Sequence, residues 1–89
     1  MNWTIEYNTA VRKSIRKLDP QTRHRIRQFL SERLASLDDP RQLGAALKGS
    51  KFGDFWRYRV GDYRIICVIQ DHKLVVLVLE IGHRREIYR

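Results

Sequence analysis

At 89 residues the chain is long enough for a single buried core and too short for a second domain, so one domain spanning 1–89 is expected. A composition of 43% hydrophobic and 31% charged residues excludes wholesale disorder. The balance of 18 Lys+Arg against 10 Asp+Glu, a net charge of +8, points to a polyanionic partner such as nucleic acid or to an acidic protein. The longest apolar run, "LVVLVLEI", is interrupted by Glu80 and is too short to span a bilayer. No charged-then-apolar signal pattern opens the chain, and a cytoplasmic location is expected.

Residues 3–7, "WTIEY", alternate apolar and polar, which predicts a strand with Trp3, Ile5 and Tyr7 facing inward. Asn8 or Thr9 suits the N-cap of a helix whose apolar stripe is Val11, Ile15 and Leu18. Asp19 and Pro20 then fit the cap and first position of a second helix, with Ile26, Phe29, Leu30, Leu34 and Leu37 facing inward. Asp38-Asp39-Pro40 ends it. Residues 41–54 read as a glycine-bearing loop, with a short helical turn at "LGAAL".

Three strands follow at about 55–60, 63–70 and 73–81, joined by tight turns at Gly61-Asp62 and Asp71-His72. The order β-α-α-β-β-β predicts an α+β fold, a small antiparallel sheet with a helical hairpin packed on one face. Cys67 lies inside an apolar strand with no second cysteine to bridge, so it reads as a buried structural thiol.

Period-two alternation puts Trp56, Tyr58 and Val60 on the core face of their strand and Phe55, Arg57 and Arg59 on the other. On the next strand Tyr63, Ile65, Cys67 and Ile69 share the core face, leaving Arg64, Ile66 and Val68 opposite. Arg57, Arg59 and Arg64 therefore converge on the helix-free face. There, guanidinium groups can hold phosphate oxygens by paired hydrogen bonds. His83, Arg84 and Arg85 follow at the end of the last strand, and Phe55 and Tyr88 supply rings able to stack on bases. A solvated face carrying arginines for solubility explains the same pattern, and both readings stand at this level. The same ambiguity applies to Arg23, Arg25, Arg27 and Arg33 of the second helix, as solvated surface or as a further phosphate contact. No paired carboxylate, Gly-rich nucleotide loop, zinc framework or Ser/His/Asp order supports another hydrolase class or a cofactor.

The stretch "LKGSKFGDFWRYRVGDYRIICVIQDHKLVVLVLEIGHRREIYR" resembles the RelE branch of the RelE/ParE toxin superfamily, with its Leu-x-Gly, basic strand, "YR" opening the next strand, and late "GHR" followed by Tyr. The strand and helical hairpin before it are similar too. The resemblance implies a toxin of a type II toxin-antitoxin system: a ribosome-dependent endoribonuclease that cuts messenger RNA in the A site by metal-independent 2′-hydroxyl attack and needs no cofactor. It implies a RelB-like antitoxin, the ribosome and messenger RNA as partners, with DNA reached only through the antitoxin and no membrane. The catalytic positions it implies are Arg57, Arg59, Arg64, Arg84 and Tyr88, with RNA contacts from Lys48, Lys51, Phe55, His83 and Arg85.

Such cleavage needs a proton acceptor for the 2′-hydroxyl, cations for the crowded phosphate and a donor for the departing 5′-oxygen. Some members of that branch carry lysines where this chain has Arg57 and Arg59. Arginine keeps its proton to about pH 12 and is a poor base, which leaves His83 and Tyr88 as candidates for that role, or solvent or the RNA itself where catalysis rests on positioning and electrostatics. The superfamily resemblance also allows a ParE-like inhibitor of DNA gyrase, and the basic face alone allows a non-catalytic RNA-binding module.

Overall fold

A computed structural model describes residues 2–47 and 55–83 and has the α+β architecture. Strand β1 (Thr4–Tyr7) is followed by helices α1 (Thr9–Lys17) and α2 (Pro20–Gln28). Strands β2 (Ala45–Ala46), β3 (Phe55–Val60), β4 (Tyr63–Gln70) and β5 (Val75–His83) complete one sheet in the order β1-β5-β4-β3-β2.

Local chemistry sets the helix ends. Asn8 caps α1 by accepting the Val11 N–H at 2.8 Å, while its amide donates to the Leu79 carbonyl at 3.2 Å. One side chain thus starts the helix and fastens it to β5, where a register shift opposite Ile66/Cys67 leaves Leu79 without a partner on β4. Asp19 caps α2 through the Thr22 N–H at 3.1 Å and the Thr22 hydroxyl at 2.6 Å, with Pro20 in the first turn as expected. The second apolar stripe does not continue as α-helix. Phe29–Leu34 form a π turn, sealed by Ala35 N–H donating five residues back to Leu30 at 3.0 Å, and this keeps Leu30 and Leu34 both fully buried.

The sheet differs from expectation in three respects. It is mixed: β1 pairs parallel with β5, Thr4 opposite Val75 and Tyr7 opposite Val78. A parallel pair needs a long connection, which the rest of the chain provides, and alternation within a strand carries no information on pairing direction. Instead of a helical turn at "LGAAL", a 3₁₀ turn at Pro40–Gln42 precedes β2, whose Ala45 and Ala46 lie opposite Arg57 and Trp56. Pairing with the open edge of β3 overrides alanine's helical preference. Finally, a 3₁₀ turn at Asp71–Lys73 ends on Leu74 with φ of 54°, so β5 begins at Val75 and runs to His83, two residues later than expected. The turn at Gly61-Asp62 is as expected, with Gly61 at φ of 58° where a two-residue hairpin favours glycine.

The core lies between the helices and one face of the sheet: Val11, Ile15, Ile26, Leu30 and Leu34 meet Tyr58, Ile65, Cys67, Ile69, Val76, Val78 and Ile81. Each such side chain removed from water contributes about 1.5–3 kcal/mol. Trp3 closes one end, its indole N–H donating to the Asp38 carbonyl at 3.2 Å. Cys67 is fully buried and burial pushes its thiol pKa well up, in keeping with a structural role. No described helix is long and apolar enough to cross a membrane.

Candidate functional site

The opposite face of the sheet carries the arginines. Cross-strand pairs share a face, and the register sets Arg59 opposite Arg64, Arg57 opposite Ile66 and Phe55 opposite Val68. Arg57, Arg59 and Arg64 line one pocket of about 350 Å³ together with Leu43, Gly44, Ala45 and the edge of Tyr58. Among the described residues no carboxylate lines it. The three cations differ in freedom. Arg59 is exposed, its Nε in a long 3.5 Å contact with the Gly61 carbonyl, Arg57 is half-buried, and Arg64 is 8% exposed. A buried guanidinium is held in one orientation, whereas a rim guanidinium can follow a ligand.

The far wall was not legible in the sequence. It is the segment after Pro40, and several contacts fix it against the sheet. The Tyr58 hydroxyl donates to the Pro40 carbonyl at 2.8 Å in a buried setting, and burial drives this phenol's pKa well above its usual value. Gly44 lies against the same ring: a Cβ there would stand 2.9 Å from Tyr58 Cε1. Arg41 bonds Asp71 through both terminal nitrogens, at 2.7 and 3.0 Å, contacts Asp39 at 3.2 Å, and stacks 5.8 Å over Trp56. These interactions raise the guanidinium's pKa and hold the Asp71 carboxyl below the usual carboxylate range. Trp56 and Tyr58, expected only as core residues, thus also brace the pocket wall.

His83 stands elsewhere. It pairs with Tyr63, on the helix-bearing face, its ring edge-on to Tyr63 at 5.6 Å. There it lines a separate pocket of about 280 Å³ with Thr22, Arg25, Val60, Gly61 and Asp62. The structure therefore does not bring His83 to Arg57, Arg59 and Arg64, because it stands two positions beyond Ile81 of the core and so shares its face. Phe55 is half-buried on the arginine face but does not line the pocket. Lys48, Lys51, Arg84, Arg85 and Tyr88 lie outside the described residues. Among the described residues no three His, Cys, Asp or Glu side chains are grouped to hold a metal ion.

Residues 5–88 match the sequence profile of the ParE toxin of type II toxin-antitoxin systems, parDE. The chain belongs to the ParE toxin family. It is a type II toxin of the RelE/ParE superfamily, and the comparisons agree along nearly its whole length. Toxin RelG of Mycobacterium tuberculosis (strain ATCC 25618 / H37Rv) is 30% identical over 89 residues, covering 100% of this chain and 99% of its own. The toxin-antitoxin complex RelBE2 from Mycobacterium tuberculosis contains a chain 25% identical, with TM-score 0.84 over 94% of this toxin and 93% of that chain. The archaeal RelE-RelB complex from Pyrococcus horikoshii OT3 gives 26% identity and TM-score 0.74, over 94% of this toxin and 97% of that chain.

Proposed function

We propose that this toxin is a ribosome-dependent endoribonuclease that cuts messenger RNA in the A site and so stops translation. The observation that carries the proposal is the meeting of Arg57, Arg59 and Arg64 in one pocket without a carboxylate on its described walls. Attack of a 2′-hydroxyl on the neighbouring phosphorus builds negative charge on the phosphate oxygens, and oriented guanidinium groups stabilise that charge. In this reading Arg64, buried and fixed, and Arg57 clamp the phosphate, while Arg59 at the rim gathers the incoming strand. Arg84 stabilises the departing 5′-oxygen and Tyr88 orients the nucleotide. Lys48, Lys51, Phe55 and Arg85 extend the RNA contact.

His83 faces the helices, away from the arginine pocket, so in this reading the proton goes to Tyr88 or, with catalysis resting on positioning and electrostatics, to solvent or the RNA itself. A groove of cations gains much of its rate from alignment, which gives the ribosome a role in holding the message in line and needs no metal or other cofactor in the mechanism proposed. Ribosomes place the activity in the cytoplasm. A RelB-like antitoxin, the kind of partner present with the related archaeal and mycobacterial chains, silences it by setting acidic and apolar side chains against the +8 surface, and carries any DNA binding.

The ParE description of the matching profile favours a second reading, inhibition of DNA gyrase without RNA cleavage. Messenger ends mapped on translating ribosomes with wild-type toxin and with Arg57→Gln separate the two. New ends at the A site with the wild type, strongly reduced in the variant, support the nuclease. Intact messages together with loss of gyrase supercoiling would replace it with the gyrase reading.

A further inference from the structure

We infer that the Leu43–Gly44–Ala45 wall of the arginine pocket is a nucleobase subsite, so that this segment sets which base is gripped beside the bound phosphate. The inference rests on the RNA reading of the pocket and adds the part of the ligand that the arginines do not recognise. The pocket's two walls differ in chemistry. One is cationic, from Arg57, Arg59 and Arg64; the other presents a leucine side chain, a glycine and an alanine methyl. Leu43 is 38% exposed and is the large apolar side chain left exposed among the described residues. An apolar group left in water beside a charged pocket is stabilised when a flat, largely apolar surface covers it, and a base attached to a phosphate held by the arginines reaches that wall.

The room for such a ring is built by small residues. Ala45 lies directly opposite Arg57 across the β2–β3 ladder, so its methyl stands beside the arginine stem and leaves the space above both open. Gly44 lets the backbone sit against Tyr58, where any Cβ would press on the ring at 2.9 Å, and so holds the wall back from the pocket. The wall itself is stiff. The Tyr58–Pro40 hydrogen bond and the Arg41–Asp71 pair anchor the segment at its start, and Gly44 N–H donates to the Arg41 carbonyl at 3.2 Å. A volume of about 350 Å³ is at the small end of the range for ligand pockets, and suits a single nucleotide. The larger face of a purine covers more of Leu43 than a pyrimidine does, which gives the direction of preference.

The test uses purified, antitoxin-free toxin labelled with 15N and titrated with adenosine monophosphate, uridine monophosphate and ribose 5-phosphate, following amide shifts of Ala45, Arg57 and Arg64. The expected order is adenosine monophosphate, then uridine monophosphate, then ribose 5-phosphate. Leu43→Ser should weaken the adenosine nucleotide about fivefold, less than the loss of a whole buried leucine because a base covers only the exposed part of Leu43, and leave ribose 5-phosphate unchanged. Leu43→Phe should restore or strengthen it. Since Leu43 is a surface residue, both variants should keep the wild-type spectrum elsewhere. Equal affinity of wild-type toxin for all three ligands, or an equal loss for all three in Leu43→Ser, overturns the base subsite while leaving the phosphate site standing. If none of the three moves the arginine amides, the RNA reading of the pocket fails along with it.

Discussion

Replacing Tyr58 by Phe tests how the pocket wall is held. The substitution keeps the ring, its buried packing and its tilted contact with Phe29 at 6.2 Å, and removes only the hydroxyl that donates to the Pro40 carbonyl. A buried acceptor left unpaired costs about 1–3 kcal/mol, but this carbonyl keeps a second, long contact from the Leu43 N–H at 3.4 Å. The expected loss is therefore in the lower part of that range, about 1–1.5 kcal/mol, or about 5–10 °C in Tm for a domain of this size. The pH dependence gives a second reading. Burial raises the folded-state phenol pKa above its ordinary value of 10.0. The contribution is thus fully present below pH 10 and is lost as pH rises beyond it, and Tyr58→Phe removes that alkaline decline. Urea unfolding at pH 7 and pH 10.5, with amide exchange at Leu43 and Gly44, measures both. An unchanged midpoint, with Leu43 and Gly44 as protected as in the wild type, would refute the claim that this bond fixes the wall.

Gly44→Ala should cost about 1–3 kcal/mol in urea unfolding, because its methyl would meet the buried Tyr58 ring at 2.9 Å; a neutral result would mean that the wall yields freely. Native toxin should resist iodoacetamide at Cys67, whose thiol is buried and whose pKa burial raises, and react only in denaturant. Rapid alkylation of the folded chain would contradict that placement. Arg41 lowers the folded-state pKa of Asp71 below 3.8, so the pair stabilises the fold above about pH 4 and is lost as pH falls through the lowered value. Acid titration of Asp71→Asn against wild type should therefore show a smaller decline in stability below pH 4, whereas identical acid limbs would remove the pair from the account.

Features written in local pattern were legible in the sequence. Period-two alternation separated Tyr58, Ile65 and Cys67 from Arg57, Arg59 and Arg64, and cap residues at Asn8 or Thr9 and at Asp19 announced both helices. What depends on pairing between distant segments was not. The two residues of β2 have no alternation to read, and the direction of β1 follows from its neighbour rather than from "WTIEY". The same limit applied at the site. Gly44 acquires meaning only when Tyr58 lies against it, Ala45 only when Arg57 stands opposite, and Arg41 only when Asp71 comes near. His83 looked like a companion of the pocket arginines because it stands beside Arg84 where the last strand ends, but its parity in β5 turns it toward Tyr63 and the helices. The π turn at Phe29–Leu34 likewise leaves the 3.6-residue stripe almost intact in sequence while changing the backbone beneath it.

The most direct test of the central claim is cleavage on programmed ribosomes whose A-site codon is either all-ribose or carries one 2′-deoxy sugar at the position of the attacking hydroxyl. The account predicts a cut in the all-ribose message, with a 2′,3′-cyclic phosphate on the upstream fragment and a 5′-hydroxyl on the downstream one. It predicts an intact deoxy-substituted message, and strongly slowed cutting of the all-ribose message by Arg64→Gln. Cutting of both messages at equal rates, or of neither by folded toxin free of antitoxin, would contradict it.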